Sequence, residues 1–265
     1  MLARRSKAFT LIELLIVIAI IALLAGILLP SLARAKTIAQ LVTCQNRLHQ
    51  WGSAFALYAA DNNGFYPHTD GLDRDKGQAD WFGWVDVLPA IIGGKPWRDH
   101  AIWQRPGEGT FFQCPAARLG PDNQYGYPPR RNGYFSYAMN SCLELDDDCW
   151  RAPGDGGKPM PSFLNTDLIV APQQVVLLFD QLLDTRFGYG GQGACPSAGK
   201  YCGSYPKAFS ARHARHGGEL GGSILFCDYH VEWTASVWKP EWPADMEVPP
   251  RDDENWFPYP VGKGP

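Results

Sequence analysis

From Leu14 to Leu29 the chain runs sixteen residues without a charge, and the apolar stretch reaches back to Leu11 across a single acid, Glu13. As a helix, nineteen such residues would cover about 28 Å at ~1.5 Å per residue, which is the thickness of a bilayer core. A carboxylate costs on the order of 2.5–3.5 kcal/mol near the centre of such a helix and less toward its end. Glu13 therefore requires either an interfacial depth or a partner. Arg4, Arg5 and Lys7 lie just ahead of the run, so the positive-inside rule leaves the amino terminus cytoplasmic and sends the remainder across as a single pass. A plain anchor would satisfy this much, and so would a secretory signal peptide cut after Ala33-Arg34-Ala35. The run is long for the second, carries an acid, and continues without a break in its apolar spacing.

Leu32, Ala35, Ile38, Leu41, Val42, Leu48, Trp51, Phe55 and Tyr58 recur at intervals of three and four, while Arg34, Lys36, Gln40, Asn46 and Arg47 fall largely off that stripe. This spacing predicts one long helix in two parts, residues 9–30 in the membrane and an amphipathic half, 31–60, packed as the spine of a globular domain. Pro30 should kink it, because proline removes a backbone donor and crowds the preceding turn. Asp61-Asn62-Asn63-Gly64 should stop it, since Asn and Gly tolerate the left-handed conformation of a helix C-terminus.

Beyond residue 64, Gly, Pro and aromatic residues dominate and the periodicity shortens. The best strand candidates are 134–139, 175–179, 223–227 and 231–235, the last two forming a hairpin. Residues 151–160, 189–193 and the proline-rich 240–265 read as loops or irregular chain. The expected class is α+β, a long N-terminal helix on a small antiparallel sheet with long loops. Residues 61–265 form one globular domain of ordinary size. The formal net charge is −3 and becomes more negative without the leader cations, so no nucleic-acid partner is expected.

The basic leader, Ala8, and then Phe9-Thr10-Leu11-Ile12-Glu13 ahead of an apolar helix resemble a type IV prepilin signal. The resemblance implies a leader peptide, 1–8, removed between Ala8 and Phe9 by a prepilin peptidase that methylates the new Phe9 amine. It also implies that Glu13 faces the Phe9 amine of a neighbouring subunit, with Pro30 at a depth where the family often has proline. Ala8 stands where the family usually has Gly. The implied partners are the peptidase, other pilin or pseudopilin subunits and inner-membrane lipid, with the C-terminal domain periplasmic or in a filament. A looser similarity to a large group of bacterial prepilin-like proteins runs through Phe112-Gln113-Cys114-Pro115, Tyr137-Ala138-Met139-Asn140, a strand ending at Asp180, and His216 followed by Asp228-Tyr229-His230-Val231. In that group Gly stands where this chain has Tyr229, and a bulky side chain resists positive φ in a tight turn.

Seven cysteines in an exported domain predict disulfides with one thiol left over. Cys142 with Cys149 and Cys195 with Cys202 share a spacing of seven positions, and Cys44 with Cys114 would tie the helix to the loop region. Cys227 then remains as a buried small hydrophobe. Zinc at Cys195, Cys202, His213, His216, Cys227 and His230 is disfavoured, because no spacing among them matches a structural-zinc pattern. No cofactor is expected. Calcium is the ion left open by Asp73, Asp75, Gly77 and Asp80 and by Asp146, Asp147 and Asp148, although the first group lacks the closing acid of a full loop. Ser210, His213, His216, Asp228 and Glu232 could carry acid–base chemistry, but there is no nucleophile elbow, HExxH pair or phosphate cradle, so no enzyme is expected. Trp81, Trp84, Trp97 and Trp103 lie in a Gly- and Asp-rich region and keep one rival open, a secreted soluble module that binds carbohydrate or protein.

Overall fold

The computed structural model describes residues 10–69, 83–96, 99, 111–117, 136–140, 143, 164–180, 202–203, 209, 212–214 and 219–235. The chain divides into two compact units, Met1–Ala39 and Gln40–Pro265. Helix α1, Leu11–Asp61, begins in the first and ends in the second, and Pro30 lies inside it without interrupting it. In the first unit every Leu, Ile and Val from Leu11 to Leu29 is between 45% and 78% exposed. The expected burial of the whole amphipathic stripe needs correction. Leu32, Ile38 and Val42 are exposed, and burial starts at Cys44 and continues through Leu48, Trp51, Gly52, Ala54, Phe55 and Ala59.

The end of α1 follows its sequence closely. Asn63 takes φ 55 and Gly64 φ 82, Gly64 N donates to Ala59 O at 2.8 Å, and Asn62 Nδ2 donates to Tyr58 O at 2.8 Å. The left-handed Asn63 and the six-to-one hydrogen bond together satisfy carbonyls that the helix end would otherwise orphan. The chain then turns back through a bridge between Phe65 and Asn165.

In the second unit a short helix, α2 (Trp84–Val87), precedes β1 (Tyr137–Asn140), β2 (Val176–Asp180), β3 (Cys202–Gly203), β4 (His213–Ala214), β5 (Leu220–Phe226) and β6 (Val231–Ala235). β2 pairs antiparallel with β1 and β5, and β5 also pairs antiparallel with β4 and β6. β3 joins the edge beside β1, the one parallel pairing among the described residues. Four of these strands fall where apolar alternation predicts them. β3 and β4 have only two residues each, too short to leave a period.

Alternation across the sheet, shifted on β2 by an irregularity between Val176 and Leu178, separates two cores. Tyr137, Met139, Leu178 and Leu225 face the cluster built on Cys44, Leu48, Trp51 and Phe55 of α1. Ala138, Val176, Phe179, Ile224 and Phe226 form a smaller cluster with Phe209. The β5–β6 hairpin closes through three residues, with Tyr229 N donating to Phe226 O at 2.9 Å and Phe226 N to His230 O at 3.0 Å. Tyr229 takes φ 72 at the position that usually calls for Gly, a conformation that costs a non-glycine residue about 1–2 kcal/mol. Its ring is half-buried and sits edge-on to Tyr66 at 6.4 Å, a contact that glycine could not make.

Gly52 is where α1 approaches this hairpin. A Cβ there would lie 2.9 Å from Leu225 Cδ1 and 3.5 Å from Tyr229 O. Gly52→Val should therefore destabilise the domain by about 1–3 kcal/mol through overpacking, despite the better helix propensity of Val. A lowered denaturant midpoint with unchanged slope would show it, and an unchanged midpoint would refute the close approach.

Candidate functional site

Two places concentrate polar chemistry among the described residues: the head of α1 and a buried cluster beneath its second half. At the head, Thr10 is the N-cap and Glu13 lies three residues later. Glu13 Oε2 accepts from Thr10 N and Thr10 Oγ1, each at 2.8 Å, and Glu13 N donates to Thr10 Oγ1 at 3.3 Å. This is a reciprocal capping box. The cost of the acid in lipid gives no hint of this role, but the Thr-x-x-Glu spacing from Thr10 to Glu13 is present in the sequence and signals it. Both side chains are exposed. Ala8 and Phe9 lie outside the described residues.

The second place is assembled by α1 acting on segment 111–115. Trp51 Nε1 donates to Phe111 O at 3.1 Å, Arg47 Nη1 to Gln113 O, and Gln40 Nε2 to Pro115 O at 3.1 Å. Positions 40, 47 and 51 share one helix face, so three donors engage alternate carbonyls of a segment of turns and bends that lies against the helix. Gln40 and Arg47, off the apolar stripe in sequence, hold this segment in place. Ser136 Oγ accepts from Cys114 N, fixing Cys114 from the sheet side.

Cys114 thereby meets Cys44 of α1, Asp180 at the end of β2 and His213 of β4. One ligand atom from each lies within 4.8 Å of all the others, and all four residues are buried. Cys114 Sγ is 3.0 Å from His213 Nε2, His213 Nε2 is 3.3 Å from Asp180 Oδ2, and Cys44 Sγ is 3.7 Å from Asp180 Oδ2. Arg212 Nη1 lies 3.1 Å from Asp180 Oδ1. Tyr137 donates its hydroxyl to Cys44 Sγ at 3.3 Å, and Ala116 N donates to Cys114 Sγ at 3.4 Å.

Burial pushes the Cys44 thiol well up, and Cys114 and the Asp180 carboxylate add to that. Burial acts in the same direction on Cys114, but hydrogen bonding with Cys44 and His213 and the charge of Arg212 bring its thiol below the ordinary value. For His213 burial favours the neutral ring, and the hydrogen bonds to Asp180 and Cys114 outweigh it, holding the imidazole up to about 9.

A Cys-His-Asp set invites comparison with a nucleophilic triad, and the geometry is wrong for one. In a triad the acid orients the base through one ring nitrogen while the other faces the nucleophile. Here Cys114 and Asp180 both address Nε2, and His213 Nδ1 has no hydrogen-bond partner among the described residues.

The expected Cys44–Cys114 bridge is corrected to two free, buried thiols brought together. Cys227 is also free and buried, as expected of the leftover cysteine. Cys142, Cys149 and Cys195 lie outside the described residues, and only the backbone of Cys202 is described, in β3. Of the residues weighed for zinc, Cys195 and His216 lie outside the described residues, and of His213, Cys227 and His230, whose side chains are described, His213 alone enters the cluster. His230 instead stacks on Phe226 at 4.4 Å and pairs with Asp228 at 2.5 Å. Both acidic groups weighed for calcium, together with Ser210 and His216, lie outside the described residues. So do Trp81, Trp97 and Trp103, while Trp84 is fully buried and packs edge-on against Trp51 at 4.9 Å.

Residues 3–29 match the family described as the prokaryotic N-terminal methylation motif. The chain is 45% identical over 62 residues to the type IV wide pilus major component PilA4 of Thermus thermophilus, a stretch covering 23% of this chain and 47% of that protein. The match thus spans about half the length of that relative. No solved structure matches the chain. The amino-terminal region is that of a prepilin-like protein, and the long helix set on an antiparallel sheet behind it is a pilin-like α+β architecture.

Proposed function

We propose that the chain is a structural filament subunit, a minor pilin or pseudopilin of a type IV pilus or type II secretion machine, cut by a prepilin peptidase between Ala8 and Phe9 and methylated on Phe9. The observation that carries this reading is the surface of α1. From Leu11 to Leu29 its large apolar side chains stand exposed and Glu13 is the one charge among them. Before assembly, lipid covers that surface in a single-pass, amino-terminus-in topology, with the domain beyond residue 60 on the far side of the inner membrane. After assembly, the same helices of neighbouring subunits cover it. Leu32, Ile38 and Val42 extend the uncovered stripe past the membrane run, as subunit packing along a helical bundle requires. Glu13 then meets the Phe9 ammonium of a neighbour, a pairing that fixes register more than it adds stability.

The secreted-module alternative loses support where its aromatic platform can be inspected, because Trp84 is a core residue. Mass spectrometry of the mature amino terminus decides between the two. The filament reading expects N-methylated Phe9. A chain beginning at Lys36 identifies signal-peptidase release and removes it, and an uncut Met1 removes the processing step.

A further inference from the structure

We propose that Cys44, Cys114, Asp180 and His213 form a structural zinc site that ties α1, segment 111–117, β2 and β4 together. Zinc is bound by thiolate, imidazole and carboxylate in a tetrahedron, and four protein ligands close a structural site. Calcium and magnesium take oxygen sets and would not select two sulfurs. A tetrahedral zinc with bonds of about 2.3 Å to sulfur and about 2.0–2.2 Å to nitrogen and oxygen has ligand–ligand edges of roughly 3.3–3.8 Å. Three of the edges, at 3.0, 3.3 and 3.7 Å, lie just below or within that range and the others are no longer than 4.8 Å, so an ion enters by small side-chain shifts with the backbone in place.

The surroundings suit a metal with two thiolates. Tyr137 OH and Ala116 N donate to the two sulfurs, and Arg212 holds the second oxygen of Asp180 at 3.1 Å. Such outer contacts orient ligands and tune their basicity. Charge also closes: two thiolates and a carboxylate balance a divalent ion and the Arg212 guanidinium, leaving a buried centre without net charge. Each ligand comes from a different segment, so binding would cross-link the helix and segment 111–117 to β2 and β4, two strands that both pair with β5, and binding free energy would appear as folding free energy.

The test uses the full chain in detergent, first by elemental analysis as purified and then with cobalt(II) as the probe after chelation. The expected result is one zinc per chain and a cobalt spectrum with tetrahedral d–d bands and thiolate-to-metal charge transfer. Chelation should lower the thermal midpoint, and zinc should restore it. Cys44→Ser and His213→Gln should abolish the charge-transfer spectrum or reshape it, and Arg212→Gln should weaken the metal by about 10–100-fold. Should the cysteine variant fail to fold, the wild-type cobalt spectrum alone decides. A non-reduced peptide map joining Cys44 to Cys114, or cobalt bound without sulfur charge transfer, overturns the site.

Discussion

Trp51→Ala should remove a large share of the stability of the globular unit while leaving the apolar half of α1 able to insert. Trp51 has no exposed surface and packs edge-on against Trp84 at 4.9 Å and Phe111 at 5.2 Å. Its indole N–H also satisfies Phe111 O. Truncating a buried tryptophan costs about 3–5 kcal/mol, and domains of ordinary size hold only about 5–15 kcal/mol in total. Trp51→Phe should retain part of the packing and lose the hydrogen bond, worth about 0.5–1.5 kcal/mol, together with some volume. Proteolysis of the detergent-solubilised chain across a denaturant series reads the open population. The expected order of midpoints is wild type, then Trp51→Phe, then Trp51→Ala well below. Equal midpoints for wild type and Trp51→Ala would mean that α1 is not the spine of this domain.

Periodicity made much of this fold legible. The long helix, its stop at Asn63-Gly64, the β5–β6 hairpin and the strands at Tyr137–Asn140 and Val176–Asp180 each rest on a repeat of 3.6 or 2, or on a residue suited to positive φ. What periodicity cannot say is which apolar side chains the same chain will cover. Leu32 and Leu48 belong to one stripe in sequence, yet the first is exposed and the second buried, because only the later turns meet the sheet-side core. Tyr229 marks another limit. Its side chain argues against a left-handed turn, and its edge-on contact with Tyr66 is a long-range term that no local rule contains.

The buried cluster was illegible for a related reason. Its ligand set comes from positions 44, 114, 180 and 213, far enough apart that no spacing rule links them. Metal motifs are recognisable in sequence when two ligands share a turn or a knuckle, and here each comes from a separate element. The pairing of Cys44 with Cys114 had the right neighbours and the wrong bond, since spacing says nothing of the imidazole and carboxylate that surround the two sulfurs.

Glu13→Leu should leave membrane insertion and leader cleavage intact while cutting incorporation into filaments at least about tenfold. Insertion gains from losing a carboxylate in an apolar helix. Incorporation loses because a neighbour's Phe9 ammonium would be buried without its counter-charge, an imbalance worth about 3–5 kcal/mol when one partner of a buried pair is removed, and each ~1.4 kcal/mol is a factor of ten. The capping box supplies a competing explanation, since the same substitution deprives Thr10 N and Oγ1 of their acceptor, and a lost cap costs about 0.5–2 kcal/mol. Two further substitutions separate the roles. Thr10→Ala weakens the cap and keeps the charge, so it should assemble near normally. Glu13→Gln keeps an acceptor for Thr10 and loses the charge, so it should fail nearly as badly as Glu13→Leu. The readout is the ratio of subunit in sheared filaments to subunit in membranes, with the mature amino terminus checked in each variant. If Thr10→Ala failed and Glu13→Gln assembled, Glu13 would be a helix cap and the intersubunit pairing would fall, because the charge would then be dispensable where the hydrogen bond is not.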